Sequence, residues 1–401
     1  MFSVFCILTN FVTAPQLTGT DDFRMPTVVR VRLVRELRSV NNITVVGARF
    51  AASSDKDTKV IDKKNDGGGV PPIKIEAKDS KLQISVGEAD TFAQKMFYLE
   101  SADVDNPLGI QTSSKKIRHY RGRLWLAAEG DHLLVTNVID LETYLRGVVP
   151  AEMAPDAPIE ALKAQAIAAR TFALKVRVRY RPSGFDLDDT TMSQTYGGIE
   201  AEKPSGDEAV KQTERMVLEH DGRLIWADYY DDCGGVTAPG SNAGDYPPPV
   251  IDGPDDKSDF CQIGQHHKWS VVLIPQDITK RLSSDERRKI GVFRSVDVLD
   301  RDVSGRASLI SINGDDGSIE LKGNAFRALI GYDRLPSTLF KIKSEDNGFK
   351  FEGRGFGHGH GLCQCGAIGM ASAPYQKSYA DILLHYFPGA HIRKLIGAAS
   401  N

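Results

Sequence analysis

Three short segments of this 401-residue chain gather side chains able to do chemistry: VVPAEM (148–153), YDDCGGVTA (230–238) and GRGFGHGHGLCQCGAIGMA (353–371). The first holds one carboxylate, Glu152, between Pro150 and Pro155 and directly before a helical pattern. Proline on either side limits the backbone, and a carboxylate fixed in place suits general acid catalysis. The same position suits a plainer role, capping the following helix near its positive end. Spacing alone leaves both readings open.

The glycine-rich segment is not a phosphate loop, because it has neither G-x-G-x-x-G nor G-x-x-x-x-G-K-[ST]. Read as an extended chain, its alternate glycines strip one face and put His358 and His360 together on the other. With Cys363 and Cys365 they form H-x-H-x-x-C-x-C, two imidazoles and two thiols of zinc-like chemistry. That spacing matches no common zinc module, and a core or substrate-lining role competes. Cys233, Cys261, His266 and His267 are a second candidate ligand set. In an exported protein, Cys233 and Cys261 could instead pair as a disulfide, whereas Cys363 and Cys365 stand too close in sequence to bridge each other easily.

These groups need a scaffold, and the chain is long enough for two to three domains. A hydrophobic share of 41% with 26% charged residues is the ordinary globular range. The 50 basic and 53 acidic residues give a net charge of −3, which argues against nucleic acid as a partner. No apolar run approaches the ~20 residues of a transmembrane helix. Residues 1–25 open with an apolar run, Met1–Pro15, lacking a basic start; it reads as part of an export leader or as a buried strand. Alternating strands predict a β-rich region over 26–119, interrupted by a mobile loop at 51–72. Asp140 is a natural N-cap for a short helix through Val148. The clearest helix runs from Pro158 to about Arg179, with Ile159, Leu162, Ala166, Ala169, Ala173 and Val176 on one buried stripe and Arg170 at its edge. Hairpins with one short helix near Asn324–Ile330 fill a smaller β-rich subdomain at about 271–343, and Tyr379–Tyr386 reads as a helix. The fold class is α+β: a strand-rich core, a long helix after the Glu152 loop, and the second β-rich subdomain.

Taken together and in order, NVIDLETYLRGVVPAEM, APIEALKAQAIAARTFAL, SQTYGG (193–198), CGGVTA (233–238), the glycine-rich segment and ILLHYFPGA (382–390) resemble the SpoIID (stage II sporulation protein D) family, also called the SpoIID/LytB domain. The resemblance covers about residues 120–395. It implies a lytic transglycosylase of the cell envelope that cleaves peptidoglycan glycan strands lacking stem peptides, with Glu152 as its catalytic acid and base. It further implies groove-lining roles for Gln165, Arg170, Gln194, Tyr196, Cys233, His358 and Gln364, against the plainer alternatives that Arg170 braces the fold and Tyr196 packs in the core. No cofactor is required by that chemistry, though some members bind zinc through Cys and His, and the ligands here do not map one by one. Cys233, His360 and Cys365 depart from the residues usual in the family. An exported location is implied, and two rivals stand beside the enzyme: a non-catalytic enhancer of cell-wall amidases, with such an amidase as partner, and a zinc-stabilised structural module.

Overall fold

A computed structural model of the chain describes residues 28–47, 50–53, 58–61, 71–86, 90–101, 107–112, 116–180, 184–240, 247–253 and 259–396. The expected leader lies outside the described residues. Strand alternation is strict where it matters: Ile73, Ile75 and Ala77 face inward from one strand, Leu82, Ile84 and Val86 from its partner. These strands belong to a six-stranded antiparallel sheet ordered 117–120, 108–111, 42–46, 73–78, 81–86 and 90–94. A seven-stranded sheet packs against it, ordered 187–188, 28–32, 132–140, 123–129, 96–100, 50–53 and 58–61. Inward residues of both sheets, such as Val31, Val45, Ile75, Leu126 and Val135, enter one core.

The stretch expected as a mobile loop begins instead with a hairpin, Phe50–Ser53 against Thr58–Ile61, on the edge of the larger sheet. Thr58, Val60 and Ile61 are β-branched and favour pairing, which the surrounding Ser, Asp and Lys residues obscured. The same sheet joins strands 28–32 and 96–100 to strands 123–129 and 132–140, so it runs across the boundary drawn at 119–120.

Helices cover the end of this sheet assembly. Asp140 caps α1 (Leu141–Glu152) by accepting from the Thr143 N–H at 3.1 Å, and α1 continues past Val148 to include Pro150. After one loop comes α2 (Ile159–Tyr180), whose first turn uses the Pro158 carbonyl. Burial on α2 is not a single stripe. From Ala161 to Ala173 nearly every side chain is inside, while Ile159 is exposed. A helix buried all round is the centre of a core, and alanines let α1, α3 (Pro204–Gln212), α7 (Gln364–Ala371) and α8 (Tyr379–Tyr386) pack close around it. Among the described residues no helix is long and apolar enough to cross a membrane.

A second core is separate. Phe326, Phe340, Phe351, Ile310 and Ile330 lie between two three-stranded sheets, 269–273/348–353/340–345 and 293–301/307–314/318–322. Three short helices close it: α4 (Pro275–Thr279), α5 (Ser284–Ile290) and α6 (Gly323–Ile330). Only α6 was expected. The capping box of Ser283 with Glu286 that starts α5 is legible in the sequence, but the helix it starts is only seven residues long.

Arg170 is not at the edge of a stripe but fully buried. Its Nε and Nη2 donate to Glu142 of α1 at 2.8 and 2.6 Å, and its Nη1 donates to the Met216 carbonyl at 3.0 Å. It therefore pins α2 to α1 and to strand 216–220. Arg170→Met strands the partly exposed Glu142 carboxylate, and should lower stability by about 3 kcal/mol in urea unfolding. A groove-lining arginine would instead leave stability intact and reduce ligand binding.

Candidate active site

Glu152 is the last residue of α1, half-buried, with its carboxylate receiving the backbone N–H of Thr195. It does not cap α2; it stands at the negative end of α1, where a carboxylate is disfavoured as an anion. Burial pushes its pKa up, partly offset by the Thr195 hydrogen bonds. Among the described residues no other carboxylate and no cation contributes to that shift.

A chain of uncharged hydrogen-bonded groups lies beside Glu152. Tyr144 donates from its hydroxyl to Gln194 Oε1 at 3.2 Å, and Gln194 Nε2 donates to Tyr229 Oη at 2.9 Å and to the Ala169 carbonyl at 3.1 Å. Both phenols are held protonated, first by burial and then by the nearby Glu152 charge. From the other side Gln364, at the start of α7, donates to the Glu152 carbonyl at 3.0 Å and to Gln165 Oε1 at 3.3 Å. Among the described residues, buried Gln165 Nε2 has no hydrogen-bond partner.

The residues expected to form a groove wall are thus mostly behind the glutamate. Gln165, Gln194 and Gln364 are buried and position it. Tyr196 is core, packed on Tyr144 and Tyr120 and donating to Asn137 Oδ1 at 2.9 Å. Arg170 is the buried staple already described, and Cys233 is wholly buried. His358 is partly accessible. Its ring lies 5.2 Å from Tyr230, and its Nδ1 accepts from the His360 N–H at 3.0 Å. Burial, then the His360 and Arg327 charges, depress its pKa to about 3, so it is neutral at any physiological pH.

The glycine-rich segment is not a regular strand. Gly355, Gly357, Gly359 and Gly361 all take positive φ. At Gly361 a Cβ would lie 2.1 Å from the Asp228 carbonyl, so the segment can press against residues 228–232 only as glycine. His358 and His360 stack at 5.3 Å as their spacing suggested. They do not meet the thiols. Cys365 points to Asp231 Oδ1 at 3.6 Å, and the half-buried His266 lies on Phe356. Cys363 instead joins Cys233 and Cys261, with His267 beside Cys261 at 3.4 Å.

Sequence reasoning missed Thr195, Tyr144, Tyr229 and Asp232. Thr195 acts through its backbone N–H as well as its side chain, and no side-chain motif announces the backbone part. Asp232 stands directly before Cys233, and an acid beside a candidate ligand was a usable signal.

Comparison with known proteins agrees with the family resemblance. The family profile described as Stage II sporulation protein matches residues 129–220, and one described as Domain of unknown function (DUF8618) matches 255–361, the region of the second core. An uncharacterized protein of Brachyspira hyodysenteriae is 30% identical over 92% of this chain and 94% of its own length. Stage II sporulation protein D of Bacillus subtilis is 32% identical over 63% of this chain and 74% of its own length. The Amidase enhancer of the same organism is 30% identical over 61% of this chain, which spans only 39% of that protein. The chain belongs to the SpoIID family.

The raised pKa of Glu152 has a stability consequence. The native state holds this proton to higher pH than the unfolded chain, whose glutamate titrates near ~4.3. Stability therefore falls as pH rises from that value through the native pKa. Glu152→Gln, which keeps an acceptor for Thr195, should melt higher than wild type at neutral pH. Scanning calorimetry across pH should show the difference closing toward the unfolded pKa.

Proposed function

We propose that this protein is a lytic transglycosylase of the cell envelope, acting on peptidoglycan glycan strands through Glu152. The observation that carries this reading is a half-buried carboxylate with raised pKa, a shift to which no second carboxylate among the described residues contributes. A glycoside hydrolase ordinarily needs two, one acid and one base or nucleophile. A transglycosylase needs one, used twice.

In the first step the Glu152 acid protonates the oxygen linking N-acetylmuramic acid to N-acetylglucosamine, and the bond from muramic C1 to that oxygen breaks. The resulting carboxylate takes the proton of the muramic C6 hydroxyl as its oxygen closes on C1. The products are a free N-acetylglucosamine end and a 1,6-anhydro muramic end; no water is consumed and Glu152 is again an acid. Uncharged Tyr144, Tyr229 and Gln194 leave the pKa high, where an adjacent cation would lower it. Substrate of this kind lies outside the cytoplasmic membrane, so the protein acts after export.

The similarity to the Amidase enhancer supports a second reading, a domain that grips glycan and assists a cell-wall amidase without cutting. Mass spectrometry of purified strands, with and without stem peptides, separates the two. Wild type should give products lighter than hydrolysis products by one water, and Glu152→Gln should lose at least ~100-fold of that activity. Products carrying the added water would mean a hydrolase. Binding without cleavage by wild type would favour the enhancer.

A further inference from the structure

Behind the N-terminus of α7, the sulfurs of Cys233, Cys261 and Cys363 converge with the carboxylate of Asp232, all four ligand atoms within 4.8 Å of one another. Each of the four residues is no more than 1% exposed. The Cys233 and Cys261 sulfurs stand 3.4 Å apart. Around a tetrahedral zinc with bonds of about 2.3 Å, sulfurs lie about 3.8 Å apart, so small shifts would seat the ion.

Two further features point to a cation. Asp232 Oδ1 is fixed by the Gly234 N–H at 2.7 Å, yet among the described residues its buried Oδ2 has no hydrogen-bond partner. A buried carboxylate oxygen left this way is costly unless something positive faces it. The Cys363 sulfur also accepts N–H groups from Cys233 at 3.2 Å and Gly366 at 3.3 Å, the outer support that holds a metal-bound thiolate in place. His267 approaches Cys261 and Asp232 with Nδ1, at 3.4 and 3.5 Å, while its Nε2 meets Asp259 Oδ2 at 3.0 Å. It orients the cluster from outside.

We propose that Cys233, Cys261, Cys363 and Asp232 form a structural zinc site. Three S–H protons leave as three sulfur–zinc bonds form, and a carboxylate oxygen of Asp232 completes the tetrahedron. The site is closed to solvent, which suits a structural rather than a catalytic ion. A Cys233–Cys261 disulfide is the competing use of these sulfurs. It would leave Cys363 only as the cap of α7 and the Asp232 oxygen unpaired in the same pocket. The proposal does not depend on the glycan chemistry of Glu152.

The test is cobalt(II) chloride titrated into reduced, metal-free, full-length protein. About one equivalent should bind with sulfur-to-cobalt charge transfer and the intense visible bands of a tetrahedral site, and zinc chloride should bleach them. Cys363→Ser and Asp232→Asn should each weaken zinc binding by more than about tenfold. Cys365→Ser should leave it unchanged, because that sulfur points to Asp231. Should Cys363→Ser fail to fold, the wild-type cobalt spectrum decides alone. Weak octahedral cobalt absorption, or a Cys233–Cys261 disulfide in protein recovered without added reductant, overturns the proposal.

Discussion

A carboxylate kept half out of water, with no cation among the described residues shifting it, is the constraint around which this molecule is arranged. Desolvation disfavours the charged form of Glu152, and the end of α1 adds to it. Any nearby arginine or lysine would reverse the effect. The closest helix does carry a cation, but Arg170 has its donors directed to Glu142 and the Met216 carbonyl. A cation able to neutralise the acid is instead used to fasten the helix behind it. Beside Glu152 lie an amide, two phenols and Thr195, whose hydrogen bonds orient the carboxyl group and only partly offset its raised pKa.

Such a shell cannot be local. Thr195 lies 43 residues from Glu152, and Gln364 lies 212 residues away. Both are delivered by packing on α2, whose alanines let neighbouring helices approach closely. Gln364 depends on a further device, the glycine-rich segment. Its backbone runs against residues 228–232, where Leu362 donates to the Asp228 carbonyl at 3.0 Å and Cys365 to the Asp231 carbonyl at 2.8 Å. The acid is thus held from in front by residue 195 and from behind by a chain that returns after the whole second core has been built.

How much of this the sequence disclosed follows from the range of the interactions. Local signals were legible: the Asp140 cap, the long helix after Pro158, the helix Tyr379–Tyr386 and the isolated carboxylate Glu152. For residues whose partners lie far away, the sequence left the groove-lining and structural readings open. Arg170 and Tyr196 look like polar groups free to face a cleft, and only the fold shows Glu142 and Asn137 waiting for them inside. Periodicity misled for the glycine-rich segment, since a period of two suggests a strand, whereas these glycines serve left-handed turns and close approach. The thiols were found as ligand types but sorted by sequence proximity. Cys363 therefore went with Cys365 and the histidines rather than with Cys233 and Cys261.

The position of that thiol cluster ties the two cores together. Arg306, from the β-rich part, donates to the Cys233 carbonyl at 2.7 Å, and Trp269 donates from its indole to the Gly355 carbonyl at 2.9 Å. Residues 232–235 and 354–357 are therefore the backbone on which the second core rests, and the same backbone presents Asp232 and Cys233. One residue beyond Cys363 is Gln364, bonded to the Glu152 carbonyl. Cross-linking the three chain segments at this point would fix both the seat of the second core and the first turn of α7. That gives thiols with no part in acid chemistry a reason to lie where the two halves of the molecule share a wall.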